Sequence, residues 1–163
     1  MIRQKFMIVF SLALLVTLAP MISSTGFAAR PHFIEIPHIV KNPDLSITVN
    51  YHAKELGKKT ANVTLSSHTS ALIGCVNPGG QLSPSKGKQT EEIQSQSVKI
   101  KPKDGRIEGS LTLEPPVFPS VLDICPNKNW NTKVLSLSYE NIVIEVKQKN
   151  SEILKFNIGN VSQ

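Results

Sequence analysis

The sequence predicts an all-β domain, an antiparallel β-sandwich of the immunoglobulin-like kind with about seven or eight strands and one disulfide, a small single-sheet β-barrel being the alternative. Three observations predict it. Apolar residues recur at every second position in several short runs, which is the period of a half-buried strand. Between those runs Pro, Gly, Ser, Asn and Thr are frequent while aromatic residues make up only 6%, a balance that favours short strands with polar turns over a helix bundle. The third is the pair of cysteines, Cys75 in C-V-N-P-G-G and Cys125 in C-P-N-K-N-W, each in turn-like sequence behind an export signal. Thiols in an oxidising compartment are held by pairing, whereas the same pair in cytosol would point to metal or catalysis.

The export signal is residues 1–28. Arg3 and Lys5 precede an apolar run from Phe6 to Ala19, and Gly26 and Ala28 supply the small residues needed before a cut after Ala28. That run is 14 residues long, short of the roughly 20 that span a bilayer. No cysteine follows it to carry a lipid, and no later segment is apolar enough to cross a membrane. Cleavage leaves 135 of 163 residues, with Arg3 and Lys5 gone from 18 basic residues and all 12 acidic ones kept, a net charge of +4. A chain of that size forms one core. The expected location is secreted: extracellular, cell surface or periplasmic.

Residues 29–44, punctuated by proline, read as an extended N-terminal segment, and 45–163 as a single β-sandwich domain. Leu45, Ile47, Val49 and Tyr51 alternate with Ser46, Thr48 and Asn50 to make the first strand, 45–51. A second, 61–73, turns Ala61, Val63 and Leu65 inward and leads into Cys75, and the Pro- and Gly-rich stretch 76–90 reads as a loop. From 96 to 113, Val98 and Ile100 alternate with lysines, Asp104-Gly105 follows, and Ile107, Gly109, Leu111 and Leu113 alternate again; Asp-Gly between two such runs predicts a hairpin. Pro115, Pro116 and Pro119 end it, because proline cannot donate to a ladder. Leu135, Leu137 and Tyr139 share one parity and Ile142, Ile144 and Val146 the other, which a bulge or tight turn at Glu140-Asn141 reconciles. A last strand over 153–158 follows Lys149-Asn150-Ser151.

The strings Y-H-A-K-E-L-G, G-C-V-N-P-G-G, D-G-R-I-E-G-S-L-T-L-E-P-P, C-P-N and L-S-Y-E-N-I, in that order over residues 45–147, resemble a family of small secreted bacterial and archaeal proteins of unknown function. The resemblance implies an exported location, β structure and a bond between Cys75 and Cys125. It carries no activity or ligand. Residues 29–44 and the Trp130 region fit the pattern least.

The functional residues are few. No G-x-S-x-G elbow appears, and a cysteine held in a disulfide cannot attack a substrate. Asp44 and Asp104 sit in turn-like sequence, and Glu91-Glu92 reads as a solvated loop edge, since neighbouring strand residues face opposite sides. His32, His38, His52 and His68 lack metal-ligand spacing, so no metal or other cofactor is expected. The candidate site is cationic: Lys99, Lys101 and Lys103 recur at every second residue, which puts them on one strand face, and Arg106 continues the stripe across the turn. It reads either as an anion-binding surface or as lysines guarding an edge. No aromatic interleaves with these cations to stack on bases, so nucleic acid is not an expected partner. Asn62-Val63-Thr64 and Asn160-Val161-Ser162 match the glycosylation acceptor pattern.

The sequence thus predicts an exported, non-enzymatic binding or interaction domain whose partner is a cell-wall polymer, an acidic glycan or another secreted protein. The alternative is a small secreted enzyme or enzyme inhibitor using loops 77–90 and 114–131. The export reading predicts that intact mass spectrometry of secreted protein finds a chain beginning at Ala29. A species that keeps residues 1–28 in the membrane fraction overturns it.

Overall fold

The computed structural model describes residues 30–83, 88–118, 120–126, 128–149 and 151–163. The export signal and its cut after Ala28 lie outside them, as do Pro119 and Asn150. Eight strands and one short helix occur in the order β1 His32–Phe33, β2 His38–Lys41, β3 Ile47–Lys54, β4 Ala61–Val76, β5 Lys88–Ile100, β6 Ile107–Leu113, α1 Val121–Ile124, β7 Asn131–Gln148 and β8 Ser151–Ser162.

They make two antiparallel sheets. In sheet A, β3 is central, with β6 along one side and β1 and β2 on the other; sheet B has the order β5-β4-β7-β8. The chain changes sheet between β3 and β4, β5 and β6, and β6 and β7, and stays in one sheet from β4 to β5 and from β7 to β8. This is an antiparallel β-sandwich and not a closed barrel. Its core comes from the inward faces of both sheets: Ile47, Val49 and Ala53 of β3, Leu113 of β6, Val63 and Leu65 of β4, and Ile142, Ile144 and Val146 of β7 are all fully buried.

The strand β4 shows why the sequence pattern works. Ala61, Val63, Leu65, Ser67, Thr69, Ala71, Ile73 and Cys75 are all buried, and the residues between them face outward, Gly74 excepted. Two inward positions, Ser67 and Thr69, are polar, and the partner strand is irregular opposite Ser67. The β4–β7 register shifts between Ser66 and His68, and Asn141 adopts φ 53 there. The bulge expected at Glu140-Asn141 is therefore present, and its freed backbone groups are satisfied: the Ser67 hydroxyl donates to the Glu140 carbonyl (2.9 Å) and the Asn141 N–H to Asn160 Oδ1 (2.9 Å). Beyond the bulge, Ile142, Ile144 and Val146 face the core with Leu137 and Tyr139. Leu135 does not share that face. A second register shift, between Leu72 and Ile73, turns it outward, 42% exposed, over Gly74.

The other departures have physical causes. Residues 29–44 are more than an extended lead-in, since β1 and β2 lie end to end along the edge of β3 and belong to the domain. The first strand starts at Ile47, two residues later than expected, because Leu45 takes φ 69 in the turn before it. Asp44 organises that turn, accepting from the Ser46 N–H (3.1 Å) and hydroxyl (2.7 Å), bonds that hold its carboxyl below the usual carboxylate range. The stretch 76–90 is a loop only at first. A turn spans Asn77 to Gln81, residues 84–87 are not described, and β5 begins at Lys88 and pairs with β4 through Ile100. Glu91 and Glu92 are strand residues, still exposed.

The predicted hairpin is also different. Asp104 and Gly105 have φ 50 and 72 and Lys103 and Arg106 exchange backbone bonds of 3.0 and 2.9 Å, the tight turn that Asp-Gly favours. The flanking strands then part, β5 into sheet B and β6 into sheet A. Pro102 lies between β5 and the turn and has no N–H to continue a ladder.

Tyr139 and the disulfide tie the sandwich together. The buried Tyr139 hydroxyl donates across it to the Leu45 carbonyl (2.8 Å). Leu45 lies just before β3, so the part of sheet B beyond this level, including Ala71, Ile73, Cys75 and Leu137, overhangs sheet A. Segment 114–130 follows β6 at that end, with Pro116 buried and Phe118 packed on the core. Cys125 joins it to Cys75 with Cα atoms 5.6 Å apart.

Two predictions follow from these ties. The bridge closes a loop of sequence separation 50, for which the chain-entropy account gives about 4 kcal/mol, with measured values often lower. Cys75→Ser with Cys125→Ser is expected to lower stability by about 2–4 kcal/mol in denaturant titration, and the unreduced protein to show no free thiol; an unchanged midpoint overturns this. Burial first, then the carboxylates of Glu114 and Asp44, push the Tyr139 hydroxyl up to about 12. A folded value above the unfolded one of about 10 means that its stabilisation is complete below pH 10 and is lost as pH rises from about 10 to about 12. Tyr139→Phe is expected to cost about 1 kcal/mol at pH 8, and the gap to wild type to narrow by pH 11. A gap that stays constant overturns it.

Candidate functional site

The three lysines expected on one strand face, with Arg106 continuing them across the turn, are divided. Lys99 lies on β5 and Lys101 just past its end, whereas Lys103 and Arg106 face each other across the Asp104-Gly105 turn. Pro102 again separates them, so no strand carries the whole stripe. Lys103 and Arg106 line a depression of about 300 Å³ with His52, Asp104, Ile107 and Glu108. Lys99 belongs elsewhere. Asn62 pairs with Lys99 on one side and with Lys147 on the other, so the three form one outward row across β5, β4 and β7. Thr60 and Lys149 complete a basin of about 420 Å³ around them.

Lys59 joins this group from the β3–β4 connection. The Gln148 amide donates to the carbonyls of Gly57 (3.0 Å) and Lys59, holding that connection on the end of β7. Lys59 then reaches the Lys149 side chain, and the contact holds its ammonium below the usual lysine range. Lys147 pairs with Glu145; among the described residues, Lys59, Lys99 and Lys149 make no ion pair. Lys59, Lys147 and Lys149 were not among the sequence candidates. The available signal was K-K at 58–59 and K-Q-K at 147–149, two basic clusters that flank strand ends, but which ends meet depends on topology.

The histidines are spread over both sheets. The His38 ring nitrogen lies 3.2 Å from the Asn50 amide on the outer face of sheet A, and His52 is opposite Glu108 on the same face. With Glu35 and Ile36 they line a groove of about 340 Å³ over Tyr51 and Gly109. Tyr51 lies so close that a Cβ on Gly109 would come within 2.8 Å of its hydroxyl, which is why this strand position is glycine. Burial raises the Tyr51 hydroxyl above its ordinary value. His32 sits 3.7 Å from Glu55, and His68 faces outward on sheet B. Among the described residues no group of three or more His, Cys, Asp or Glu is placed to hold a metal ion.

Trp130 and the two glycosylation-pattern asparagines lie on different elements. Trp130 is partly buried between α1 and β7. Asn62 is half-buried in the middle of a sheet, and exposed Asn160 on β8 is the residue that completes the bulge. Among the described residues no helix is long and apolar enough to cross a membrane.

No family model matches the chain, and no curated protein matches it. Among solved structures it is similar to a glycosyl hydrolase family 2 member from Bacteroides cellulosilyticus, with 16% identity over 81% of this chain and a TM-score of 0.29. The match spans 15% of that protein's length, and at this score it carries no argument.

Proposed function

We propose that the chain is an exported, non-enzymatic domain that binds an extended polymer at the cell surface, in the periplasm or outside the cell. The observation that carries this reading is the outward face of β5, β4 and β7. Thr64, Ser66 and Ser70 of β4 stand in rows with Ser97 and Ser95 of β5 and Ser138 of β7, and the Ser70 and Ser138 hydroxyls are 2.8 Å apart. Small ligands are bound in concave, mostly apolar pockets that bury most of their surface. A plane of short hydroxyl side chains suits a chain lying along it and offers hydrogen bonds at each strand spacing of about 4.8 Å. The disulfide supports an oxidising location.

One observation favours a second reading, an enzyme inhibitor. The bridge braces loop 114–131 against the start of loop 77–90, and Val117 stands 85% exposed on it. A loop already held in shape loses less entropy on binding.

Retention of the mature protein on purified cell-wall polysaccharides and on immobilised secreted proteins separates the two. The expected result is saturable binding to polysaccharide, unchanged in Val117→Asp. Capture only by a secreted hydrolase, lost in Val117→Asp, or turnover of any polysaccharide by the protein itself, overturns the polymer-binding reading.

A further inference from the structure

The cations of this protein collect at one end of sheet B, where β4 begins and β5 and β7 finish. Three elements deliver them: the β3–β4 connection brings Lys59, β5 brings Lys99, and β7 with its following turn brings Lys147 and Lys149. Lys59 meets the Lys149 side chain, and the hydrogen bond between them lowers the proton affinity of Lys59. Glu145 pairs with Lys147. Among the described residues Lys99 and Lys149 make no ion pair, and with Lys147 they line a basin whose other polar groups are the Asn62 amide and the Thr60 hydroxyl, uncharged donors and acceptors of the kind that sugar hydroxyls meet.

We propose that this basin binds an acidic polysaccharide, with Lys59, Lys99, Lys147 and Lys149 holding its sulfate or carboxylate groups and Asn62 hydrogen-bonding the sugar between them. The inference rests on the polymer-binding reading and gives it a site and a ligand class. The site continues directly into the hydroxyl rows of the same face, since Asn62 and Thr64 are successive outward residues of β4. A polymer held at its acidic groups by the lysines meets the hydroxyls of Thr64, Ser66, Ser95 and Ser97 next, short of Glu91 and Glu140.

Other polyanions fit less well. Binding of single-stranded nucleic acid draws on aromatic side chains for stacking, and the residues that line the basin include none. Docking on anionic lipid combines cations with apolar side chains that enter the interface. The exposed apolar residues of this face are Ile93, Leu72 and Leu135; Ile93 pairs with His68, six positions along β4 from Asn62 and so about 20 Å away, and Leu72 lies further along the same strand.

The test measures binding of the mature protein to heparin and to polygalacturonate, with single-stranded oligodeoxythymidylate and anionic phosphatidylglycerol vesicles as competing ligand classes. Two variants remove equal charge: Lys59→Gln/Lys99→Gln/Lys149→Gln at the basin, and Lys101→Gln/Lys103→Gln/Arg106→Gln away from it. Melting temperatures near wild type establish that both are folded. The expected result is an affinity loss of about tenfold or more, and a shallower salt dependence, for the basin variant only. Equal losses in both variants, or tighter binding to the oligonucleotide or vesicles than to either polysaccharide, overturn the site. Wild type that ignores both acidic polymers yet is retained by a neutral wall polysaccharide overturns this inference and leaves the polymer-binding reading standing.

Discussion

The alternation of β4 is the constraint on which the remaining structure depends. For 16 residues, from Ala61 to Val76, this strand keeps one parity toward the core while it pairs with β5 on one side and β7 on the other. A slip of one residue would turn its whole inward row to solvent, so β4 fixes the register of both neighbours. It also decides where irregularity is tolerated. The partner strand β7 carries two register shifts and β4 absorbs them, through the inward hydroxyl of Ser67 in one case and the missing side chain of Gly74 in the other. Tyr139, opposite Thr69 on β4, then sets how far sheet A extends by fixing Leu45 at its level.

Local chemistry was legible in the sequence and long-range partnership was not. The inward residues of β3 and β4, the Asp104-Gly105 turn and the Glu140-Asn141 bulge are dictated by neighbours a few positions away, and each is present. The strand β5 was hidden because its first ten residues are almost all polar and exposed on both faces, and nothing local distinguishes such an edge strand from a loop. Leu135 followed the apparent parity of Leu137, and only the register of the opposing strand shows that it is bulged outward. The cationic stripe failed for a related reason. Period two puts Lys99, Lys101 and Lys103 on one face only while the strand continues, and Pro102 stops it. The basin, by contrast, joins Lys59 from the β3–β4 connection, Lys99 from β5 and Lys149 from the end of β7, a proximity that no sequence period encodes.

Charge is also distributed along the length of sheet B. The lysine basin occupies one end of its outward face, while Glu91 and Glu140 line a depression with His68 and Gln89 further along. The same side-chain positions of the same strands therefore present opposite charge at separated places. A ligand with uniform charge meets attraction at one and repulsion at the other, which gives the face a direction.

The overhang of sheet B has a consequence for how the core is closed. Sheet A can cover β4 only as far as the level of Leu45, and the rest of the inward row, Ala71, Ile73 and Cys75, depends on a segment whose tether is a covalent bond between two thiols. The sandwich therefore has a portion closed by the packing of two sheets and a portion closed by a covalent bond. The far end of the inward row is thus held by a bond that an oxidising environment preserves and a reducing one opens.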